Sequence, residues 1–187
     1  MAKELRNELE ELVKSGEFDL EITEKYLQRL LEGNLTRDEN PYTHFCVYFA
    51  AFDPQRNNVF VGHHRKSGLW LFNGGHIDKG ESLSDALERE ISEEWGVKIP
   101  AESLKKPSLL TVTEIPPNQK QICRTHFDIW YFVPSEVETA RFNEDLLAKE
   151  FLETRWLTIP DARSHITDPS TLKAMVLLDQ KFGEEKV

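Results

Sequence analysis

The sequence predicts a layered fold of the α/β or α+β class, preceded by a helical arm. Short apolar runs typical of β-strands are spread between residues 41 and 159, and an amphipathic helix interrupts them. Residues 1–40 instead repeat leucines at helical spacing. Mixed strands with interspersed helices bury their apolar faces against one another in such sandwiches. The chain has 187 residues, of which 39% are hydrophobic, so one domain with an appendage is expected.

The arm, residues 1–40, is predicted to contain two amphipathic helices. Its apolar positions recur at helical spacing, first at Leu5, Leu9, Leu12 and Val13 and then at Tyr26, Leu27, Leu30 and Leu31. The second helix is expected to end at Gly33-Asn34, since glycine commonly follows a helix end. The arm is expected to pack on the domain. A dimerisation or lid element is the alternative, which leaves a homodimer open.

The domain, residues 41–187, contains six runs that read as strands. They are YTHFCVYFAAF, NNVFVGHH, LWLF, SLLTVTEI, CRTHFDIWYFV and TRWLTI. Polar loops are expected between them, and the LWLF run leads directly into Gly74-Gly75. A last helix is predicted from Asp168-Pro169, because aspartate caps helices and proline favours the first helical position. Its predicted buried residues are Leu172, Met175, Val176 and Phe182.

The central helix, which follows the two glycines, ends in three acidic residues. Ser82 fits the capping signal S-x-x-D, and Gly96 fits the glycine that stops a helix. The predicted buried stripe is Leu83, Ala86, Leu87 and Ile91. Glu90, Glu93 and Glu94 lie three and four residues apart, so their carboxylates crowd one patch of the last helical turn.

These acids occupy the helix end that favours cations, where each costs roughly 0.3–1 kcal/mol. Arg89 can pair with Glu93 but cannot neutralise three carboxylates. A sequence that breaks a local rule without visible compensation commonly does so at a functional site. The missing compensation would be a hard divalent cation, since Mg²⁺ and Mn²⁺ prefer carboxylate oxygens. A solvated helix face in a glutamate-rich chain is the alternative.

The run GHIDKGESLSDALEREISEEWGV, residues 75–97, resembles the Nudix box, G-x5-E-x7-R-E-U-x-E-E-x-G-U, at every constrained position. On these residues the chain is identified as a member of the Nudix hydrolase family. The resemblance implies an α/β/α sandwich with a mixed β-sheet. It also implies a pyrophosphohydrolase that uses Mg²⁺ or Mn²⁺ to cleave a diphosphate bond in a nucleoside diphosphate linked to another moiety. The implied partner is therefore a small nucleotide or nucleotide derivative.

The resemblance also implies roles for individual residues. The implied metal ligands are Glu90, Glu93, Glu94 and the carbonyl of Gly75. The implied catalytic residues are Glu93, Glu94, Arg89 and Glu81. Arg89 and Glu81 are expected to form an ion pair that orients the box, and a water-mediated contact of Glu81 with a metal is the alternative. Many family members have proline before the two glycines. Asn73 stands there in this chain, and it is expected to alter the loop without touching the ligands.

Three residues just before the box are predicted to bind substrate. Arg65 and Lys66 offer positive charge to phosphate groups in an otherwise acidic chain, and Trp70 offers a ring on which a base can stack. A polar hairpin tip is the alternative for the two cations, and a core position is the alternative for Trp70. His63 and His64 are neighbours on a strand, so their side chains are expected on opposite faces, which disfavours a shared metal site.

Other polar residues in the strands and loops are less specific. His126 and Asp128 share one strand face, so they either face the pocket or have a structural role. The general base is expected to be a glutamate of the box or an acid of a later loop. The acids of that loop are Glu136, Glu138, Glu144, Asp145 and Glu150. Cys46 and Cys123 lie in apolar runs and are predicted to be buried free thiols.

Bulk composition disfavours several classes of function. The formal net charge of −10 argues against a broad nucleic-acid or anionic-membrane surface, which would be basic. No apolar run approaches the roughly 20 residues that span a bilayer, and the first residues lack an apolar signal segment, so a cytoplasmic protein is predicted. The alternative to an enzyme is a non-catalytic nucleotide-binding or sensor module that retains the fold. Isopentenyl-diphosphate isomerase, of a related fold, is disfavoured because neither cysteine lies in a TxxCxHP-like run.

Overall fold

The computed structural model describes residues 2–100, 103–104, 106–116 and 122–183. The helices are α1 (Ala2–Lys14), α2 (Leu20–Glu32), α3 (Leu83–Trp95), α4 (Glu144–Glu150), α5 (Ile159–His165) and α6 (Pro169–Gly183). The strands are β1 (Thr43–Asp53), β2 (Asn58–His64), β3 (Trp70–Leu71), β4 (Asn73–His76), β5 (Leu109–Glu114), β6 (Thr125–Pro134) and β7 (Phe151–Thr158).

The strands of the described ranges form one mixed sheet. Its main order is β3-β2-β1-β6-β5, while β4 pairs with β1 and β7 pairs with β2. The central pair, β1 and β6, is parallel, with Thr43 opposite Thr125 and Phe52 opposite Pro134. The other pairings are antiparallel. The prediction of a mixed sheet is therefore confirmed.

Helices cover both faces of this sheet. Phe45, Val47 and Phe49 alternate along β1 and pack in one core with α1, α2, α3 and α4. Ala50 and Phe52 belong to a second core, on α5 and α6. The helices on each face keep water away from the apolar side chains of the sheet. Burial of apolar surface is the main favourable term in the free energy of folding. The predicted α/β/α sandwich is confirmed.

The arm residues belong to the first of these cores. Leu5 and Leu9 are fully buried there with Leu87 of α3, and the Glu8 carboxylate accepts a hydrogen bond of 2.8 Å from the Leu83 amide at the start of α3. In α2, Tyr26 OH lies 2.7 Å from the Asp128 carbonyl, to which it donates. The arm thus contributes core residues and a helix cap to the sheet-bearing part of the chain.

Two of the apolar residues that recur along the second helix, Leu27 and Leu31, lie outside the core. Their side chains are 40% and 85% exposed. Tyr26 and Leu30 face the sheet, and the residue after each of them is rotated by about 100° around the helix axis, away from the sheet. Arg29 lies on the buried face instead. Its guanidinium donates to the carbonyls of Gly33, Asn34 and Thr43 at 2.6–2.7 Å. These carbonyl oxygens compensate the buried charge, and a leucine at this position would leave the same oxygens without a donor.

Several predicted elements are confirmed and some need correction. The last helix begins at Pro169, and the Asp168 carboxylate accepts from the Thr171 amide at 2.7 Å. Its buried apolar residues are Ala174, Met175 and Leu178. The predicted Leu172 is only partly buried and Val176 is exposed, because the helix presents a different stripe to α5. The Phe182 side chain lies outside the described residues. Within the LWLF run only Trp70 and Leu71 form a strand, β3, and β4 begins just after the run at Asn73. The short helices α4 and α5 were not predicted.

One further property concerns membranes. Within the described ranges, no helix combines the length and the apolar character that crossing a bilayer requires.

Candidate active site

The glycine pair brings a strand of the sheet against the acidic helix. Strand β4 pairs with β1, so that Gly74 lies opposite Tyr48 and Gly75 opposite Val47. A Cβ on Gly74 would lie 2.4 Å from the Val47 carbonyl oxygen, and a Cβ on Gly75 would lie 2.1 Å from Glu90 Oε1. Any side chain at Gly75 would therefore displace the Glu90 carboxylate. The sequence needs glycine here because a carboxylate occupies the space of the side chain.

Local signals at both ends fix helix α3 as predicted. Ser82 is the N-cap, and it forms a capping box with Asp85 in which each side chain accepts from the other residue's amide. Gly96 adopts the left-handed conformation, with φ of 69°. The buried stripe of this helix is Leu83, Ala86, Leu87 and Ile91, as predicted. In the last turns, Glu90 and Glu94 continue this buried face, and Glu93 lies at its exposed edge.

Arg89 connects the box residues to one another. Its Nε and Nη2 donate to the two carboxylate oxygens of Glu81 at 2.6 and 2.9 Å. Nη1 donates to Glu90 at 2.8 Å and to Glu93 at 3.2 Å, and Nη2 also donates to the His76 carbonyl at 2.9 Å. A guanidinium suits this role because its donors form a rigid planar fork. The Glu81–Arg89 ion pair expected from the family resemblance is present.

The ionisation of this pair follows from its contacts. The hydrogen bonds that the guanidinium donates to Glu81 and Glu90 raise the pKa of Arg89, against the opposing effect of burial. Burial tends to raise the pKa of Glu81, but the bonds from Arg89 and from the Asp78 amide outweigh it and hold the Glu81 pKa below its ordinary value. Both groups are therefore charged at neutral pH.

Glu94 has a different environment, and Asn73 is part of it. The Asn73 side-chain amide donates a hydrogen bond to Glu94 Oε2, and the Gly74 amide is a second neutral donor. The expectation that Asn73 would not touch the proposed ligands is wrong, because β4 runs directly beside the last turn of α3. Glu94 is only 7% exposed, and burial raises its pKa to about 8 despite these two donors.

The three glutamates face one cavity of about 650 Å³ without forming a closed cage. Burial raises the pKa of Glu90, against the opposing bond from Arg89, and the Glu93 side chain is 62% exposed. Among the described residues, the groups of ligand atoms that lie mutually within 4.8 Å do not include this trio. Mg²⁺ is commonly held by one or two carboxylates, with water and substrate phosphates completing the shell. The donor set, oxygen only and partly buried, fits such an ion.

Basic and apolar side chains complete the cavity wall. Lys66, Lys149 and Arg37 bring positive charge, and the apolar part includes Leu71 and Phe72. The sequence singled out Lys66 but missed Arg37 and Lys149. These two come from the loop after α2 and from α4, so no local motif connects them to the box.

The other two predicted substrate residues have partners elsewhere. Arg65 Nε donates to the Ala148 carbonyl at 2.8 Å. Trp70 stacks on His63 with 5.5 Å between ring centroids, and the Arg155 guanidinium lies 5.3 Å from the Trp70 ring. Neither Arg65 nor Trp70 belongs to the described lining of the cavity.

Of the loop acids considered as general base, Glu150 lines the cavity. It is the last residue of α4, and β7 begins at the next residue. Lys66 Nζ lies 3.1 Å from Glu150 Oε2, and His64 Nε2 lies 3.7 Å from the same oxygen. Burial lowers the pKa of His64, so the lysine is the charged partner. His64 thus points to the cavity while His63 meets Trp70, as the strand alternation predicted.

His126 and Asp128 occupy different depths. His126 lines the cavity, where burial lowers its pKa to about 3. Asp128 lies fully buried beneath it and accepts from the hydroxyls of Thr111 and Thr113. Burial raises the Asp128 pKa to about 7, and Asp128 does not belong to the described lining of the cavity. Both cysteines are buried free thiols, as predicted.

Three solved structures resemble this one, each below 25% sequence identity. A Nudix-family hydrolase from Clostridium perfringens is 21% identical with a TM-score of 0.54, covering 74% of this chain and 97% of that one. The dihydroneopterin triphosphate pyrophosphohydrolase of E. coli is 19% identical with a TM-score of 0.53, covering 74% and 94%. The NUDIX domain of Shewanella oneidensis NrtR, solved with ADP ribose, is 16% identical with a TM-score of 0.55, covering 73% and 86%. At such identities these likenesses concern the fold.

The sequence itself matches the model of the NUDIX domain over residues 42–177. This range starts just after the arm and contains the glycine pair, helix α3 and every strand of the sheet. It covers more than half of the chain and includes all the box residues. The chain therefore belongs to the Nudix family.

Proposed function

We propose that this protein is a Mg²⁺- or Mn²⁺-dependent pyrophosphohydrolase of nucleotide derivatives, which cleaves a nucleoside diphosphate linked to another moiety. One observation carries the proposal: the three glutamates at the end of α3 face the same cavity as Arg37, Lys66 and Lys149. Glu94 lies in its wall with neutral donors on its carboxylate. Phosphoryl transfer depends mainly on positioning and charge compensation. The acids can bind metal ions, and the basic side chains can bind phosphate groups.

The proposed metal ligands are Glu90, Glu93, Glu94 and the Gly75 carbonyl. When bound, a divalent ion would supply charge neutralisation for the phosphate oxygens and a lowered pKa for water. Arg89 and Glu81 act as positioning residues. The fork of Arg89 holds Glu90 and Glu93 from one side, and Glu81 fixes that fork.

On the substrate side, Lys66, Lys149 and Arg37 are proposed to meet the diphosphate. Their charges offset the phosphates without a broad basic surface, which agrees with the net charge of −10. Leu71 and Phe72 give the cavity an apolar wall on which a nucleoside can lie. Arg65 is proposed to support the site by holding α4 through Ala148, and Trp70 to support the hairpin that carries Lys66.

Glu150 is proposed to take the proton of the attacking water. It is the cavity acid outside the box, and its Oε2 lies 3.1 Å from Lys66 Nζ. General-base assistance contributes about 10²–10⁴-fold. We therefore expect Glu150→Gln to lower kcat by that factor while leaving Mn²⁺ affinity unchanged. Equal losses of kcat and Mn²⁺ affinity would make Glu150 a ligand instead.

The test is a screen for release of phosphate-bearing products in the presence of Mg²⁺ or Mn²⁺. The substrates are ADP-ribose, damaged nucleoside triphosphates, nucleotide sugars and 5′-capped RNA. ADP-ribose is included because the Shewanella NUDIX domain was solved with it. We expect turnover of at least one class, and Glu94→Gln should reduce it by at least about 100-fold, since even outer-shell groups cost 10–100-fold.

The matched control is Glu11→Gln, the same change on the exposed face of α1, which should leave turnover intact. Tight binding of one nucleotide, with no turnover of any of them, would contradict the proposed enzyme activity and favour the sensor module.

We also propose a cytoplasmic location, in keeping with two free thiols. The division into an arm of residues 1–40 and a domain of residues 41–187 is likewise proposed.

A further inference from the structure

Four side chains that are not among the constrained positions of the box, all of types that bind transition metals, meet at the edge of the same cavity. They are His44 on β1, His76 at the end of β4, Cys123 just before β6 and His126 on β6. One ligand atom from each lies within 4.8 Å of those of the other three. We call this set the histidine–cysteine cluster.

The sheet register builds the cluster. The tripeptide Thr-His-Phe occurs at residues 43–45 and again at residues 125–127, and the parallel pairing of β1 with β6 sets His44 opposite His126. The pairing of β1 with β4 sets His76 opposite Cys46, two residues from His44 on the same strand face. The three imidazole centroids are consequently 4.8, 5.0 and 5.1 Å apart.

Hydrogen bonds in the cluster leave ring nitrogens free to act as ligands. His44 Nδ1 lies 2.8 Å from the Asn40 carbonyl, so the proton sits on Nδ1 and Nε2 keeps its lone pair. A histidine held in this way is the usual form of a metal ligand. His44 Nε2 and His76 Nε2 lie 3.9 and 3.8 Å from Cys123 Sγ. His126 Nε2 is buried and has no hydrogen-bond partner in the described part of the chain, which packing alone does not explain.

We propose that the histidine–cysteine cluster binds a divalent transition-metal ion of the zinc class. Three imidazoles and one thiolate form a ligand set of the Cys/His type that tetrahedral zinc sites use. Mg²⁺ and Mn²⁺ prefer oxygen, so this site and the glutamates select different ions. On binding, the Cys123 thiol releases its proton to solvent. With four protein ligands the ion ties the segment before β6 to β1 and β4.

Arg37 is the group that must move when the ion binds. Its Nη1 lies 3.4 Å from His76 Nδ1, a contact that keeps the His76 proton on Nε2. Coordination through Nε2, the nitrogen that faces Cys123, transfers this proton to Nδ1, where it repels the guanidinium. Arg37 Nη2 already lies 3.6 Å from Asp78, so the side chain can turn to that carboxylate.

A second grouping competes for His126. Cys46, His126 and Asp128 also offer ligand atoms within 4.8 Å of one another. In that grouping Asp128 is already engaged by the hydroxyls of Thr111 and Thr113. Cys123 belongs only to the first grouping and Cys46 only to the second, so replacing each cysteine in turn distinguishes the two.

The experiment titrates the metal-free full-length protein with Co²⁺, a spectroscopic substitute for Zn²⁺, under excess Mg²⁺ that occupies the carboxylate site. We expect one equivalent of Co²⁺ to give tetrahedral d–d absorption and a thiolate-to-cobalt charge-transfer band. Cys123→Ser should abolish the charge-transfer band and weaken Co²⁺ binding by more than about 100-fold, the upper cost of losing an outer-shell partner. Cys46→Ser, the matched control, should keep the band.

Absence of the charge-transfer band in the wild type would overturn the proposal. So would a band that is lost in Cys46→Ser and kept in Cys123→Ser. Circular dichroism checks that each variant folds; if Cys123→Ser does not, His76→Asn carries the test and should keep the thiolate band but weaken binding. Glu94→Gln should bind Co²⁺ like the wild type, which separates this site from the proposed hydrolase activity.

Discussion

Glu94 combines burial, an unfavourable helix end and neutral partners. It lies in the last turn of α3, where the helix dipole disfavours negative charge, and its hydrogen bonds come from Asn73 and the Gly74 amide. Burial raises its pKa to about 8, so the metal-free protein carries a protonated Glu94 at neutral pH. Metal uptake at pH 7 should release that proton.

The raised pKa of Glu94 predicts a pH dependence of stability. The folded carboxyl binds a proton up to about pH 8, whereas the unfolded one loses it near pH 4.5. The stability that Glu94 contributes is therefore complete below pH 4.5 and is lost as pH rises through 8. Glu94→Gln removes that loss. We expect the metal-free variant to melt at least about 2 °C above the wild type at pH 8.5, or roughly 1 kcal/mol for a chain of this length.

Calorimetric melting in the presence of a chelator measures this difference. Glu93→Gln serves as the control, since its side chain is 62% exposed, and it should leave the melting temperature of the metal-free protein nearly unchanged. A metal-free Glu94→Gln that melts below the wild type at pH 8.5 would show that the buried carboxyl is not destabilising.

Asn73 is predicted to position Glu94 for its ion. Asn73→Ala deletes the donor to Glu94 Oε2 and leaves the carboxylate free to rotate. Outer-shell partners of metal ligands contribute about 10–100-fold to affinity, so the Mg²⁺ concentration for half-maximal activity should rise by that factor. Turnover at saturating Mg²⁺ should change less. An unchanged Mg²⁺ dependence with lower turnover would assign Asn73 to the substrate instead.

At the scale of elements, the contact between β4 and α3 sets the spacing of the site. Gly75→Ala would place a methyl group 2.1 Å from Glu90 Oε1, so the carboxylate or the whole helix end must shift. Displacements of about 1 Å at a catalytic centre can cost 100-fold, and we expect a loss of at least that size. Steady-state kinetics at saturating Mn²⁺ measures it.

The control for this change is Gly68→Ala, where no atom lies within 4 Å of the new methyl group. Gly68 has φ of 70°, so alanine there should cost about 1–2 kcal/mol of stability but leave activity of the folded protein intact. Equal activity of the two variants would refute the idea that Gly75 makes room for Glu90.

Elements that obey local rules were predictable, and those set by distant contacts were not. Helix α3 follows from Ser82, Gly96 and one periodic stripe, and all three signals lie within the helix or at its two caps. Helices α4 and α5 have seven residues each, too short for a periodic pattern to emerge. The bond from Asn73 to Glu94 joins residues 21 positions apart, so only the pairing of β4 with β1 reveals it.

At the scale of the whole molecule, the arm completes the core. Leu5, Leu9 and Tyr26 are buried against the sheet and α3, although the family match begins at residue 42.

The charges of the whole chain are distributed unevenly around the cavity. The chain carries a net charge of −10, yet Lys66, Lys149 and Arg37 converge on the cavity of the glutamates.

Deletion of residues 1–40 is therefore expected to destroy cooperative unfolding. The truncation exposes the apolar face around Phe45 and Leu87, removes the Glu8 cap on α3, and breaks the Tyr26 bonds to β5 and β6. Thermal melting and solution mass test this prediction. A truncated chain that melts like the wild type would show that the arm is dispensable, and a change in oligomeric state alone would make it a dimerisation element.

Calorimetric titration of the metal-free protein with Mn²⁺, in the presence of a nucleotide with a non-hydrolysable diphosphate bridge, tests the proposed metal site. We expect Mn²⁺ to bind the wild type and Glu11→Gln equally well, and to bind Glu94→Gln at least about 100-fold more weakly. Equal Mn²⁺ affinity in the wild type and Glu94→Gln would show that the acids at the end of α3 hold no cation for hydrolysis.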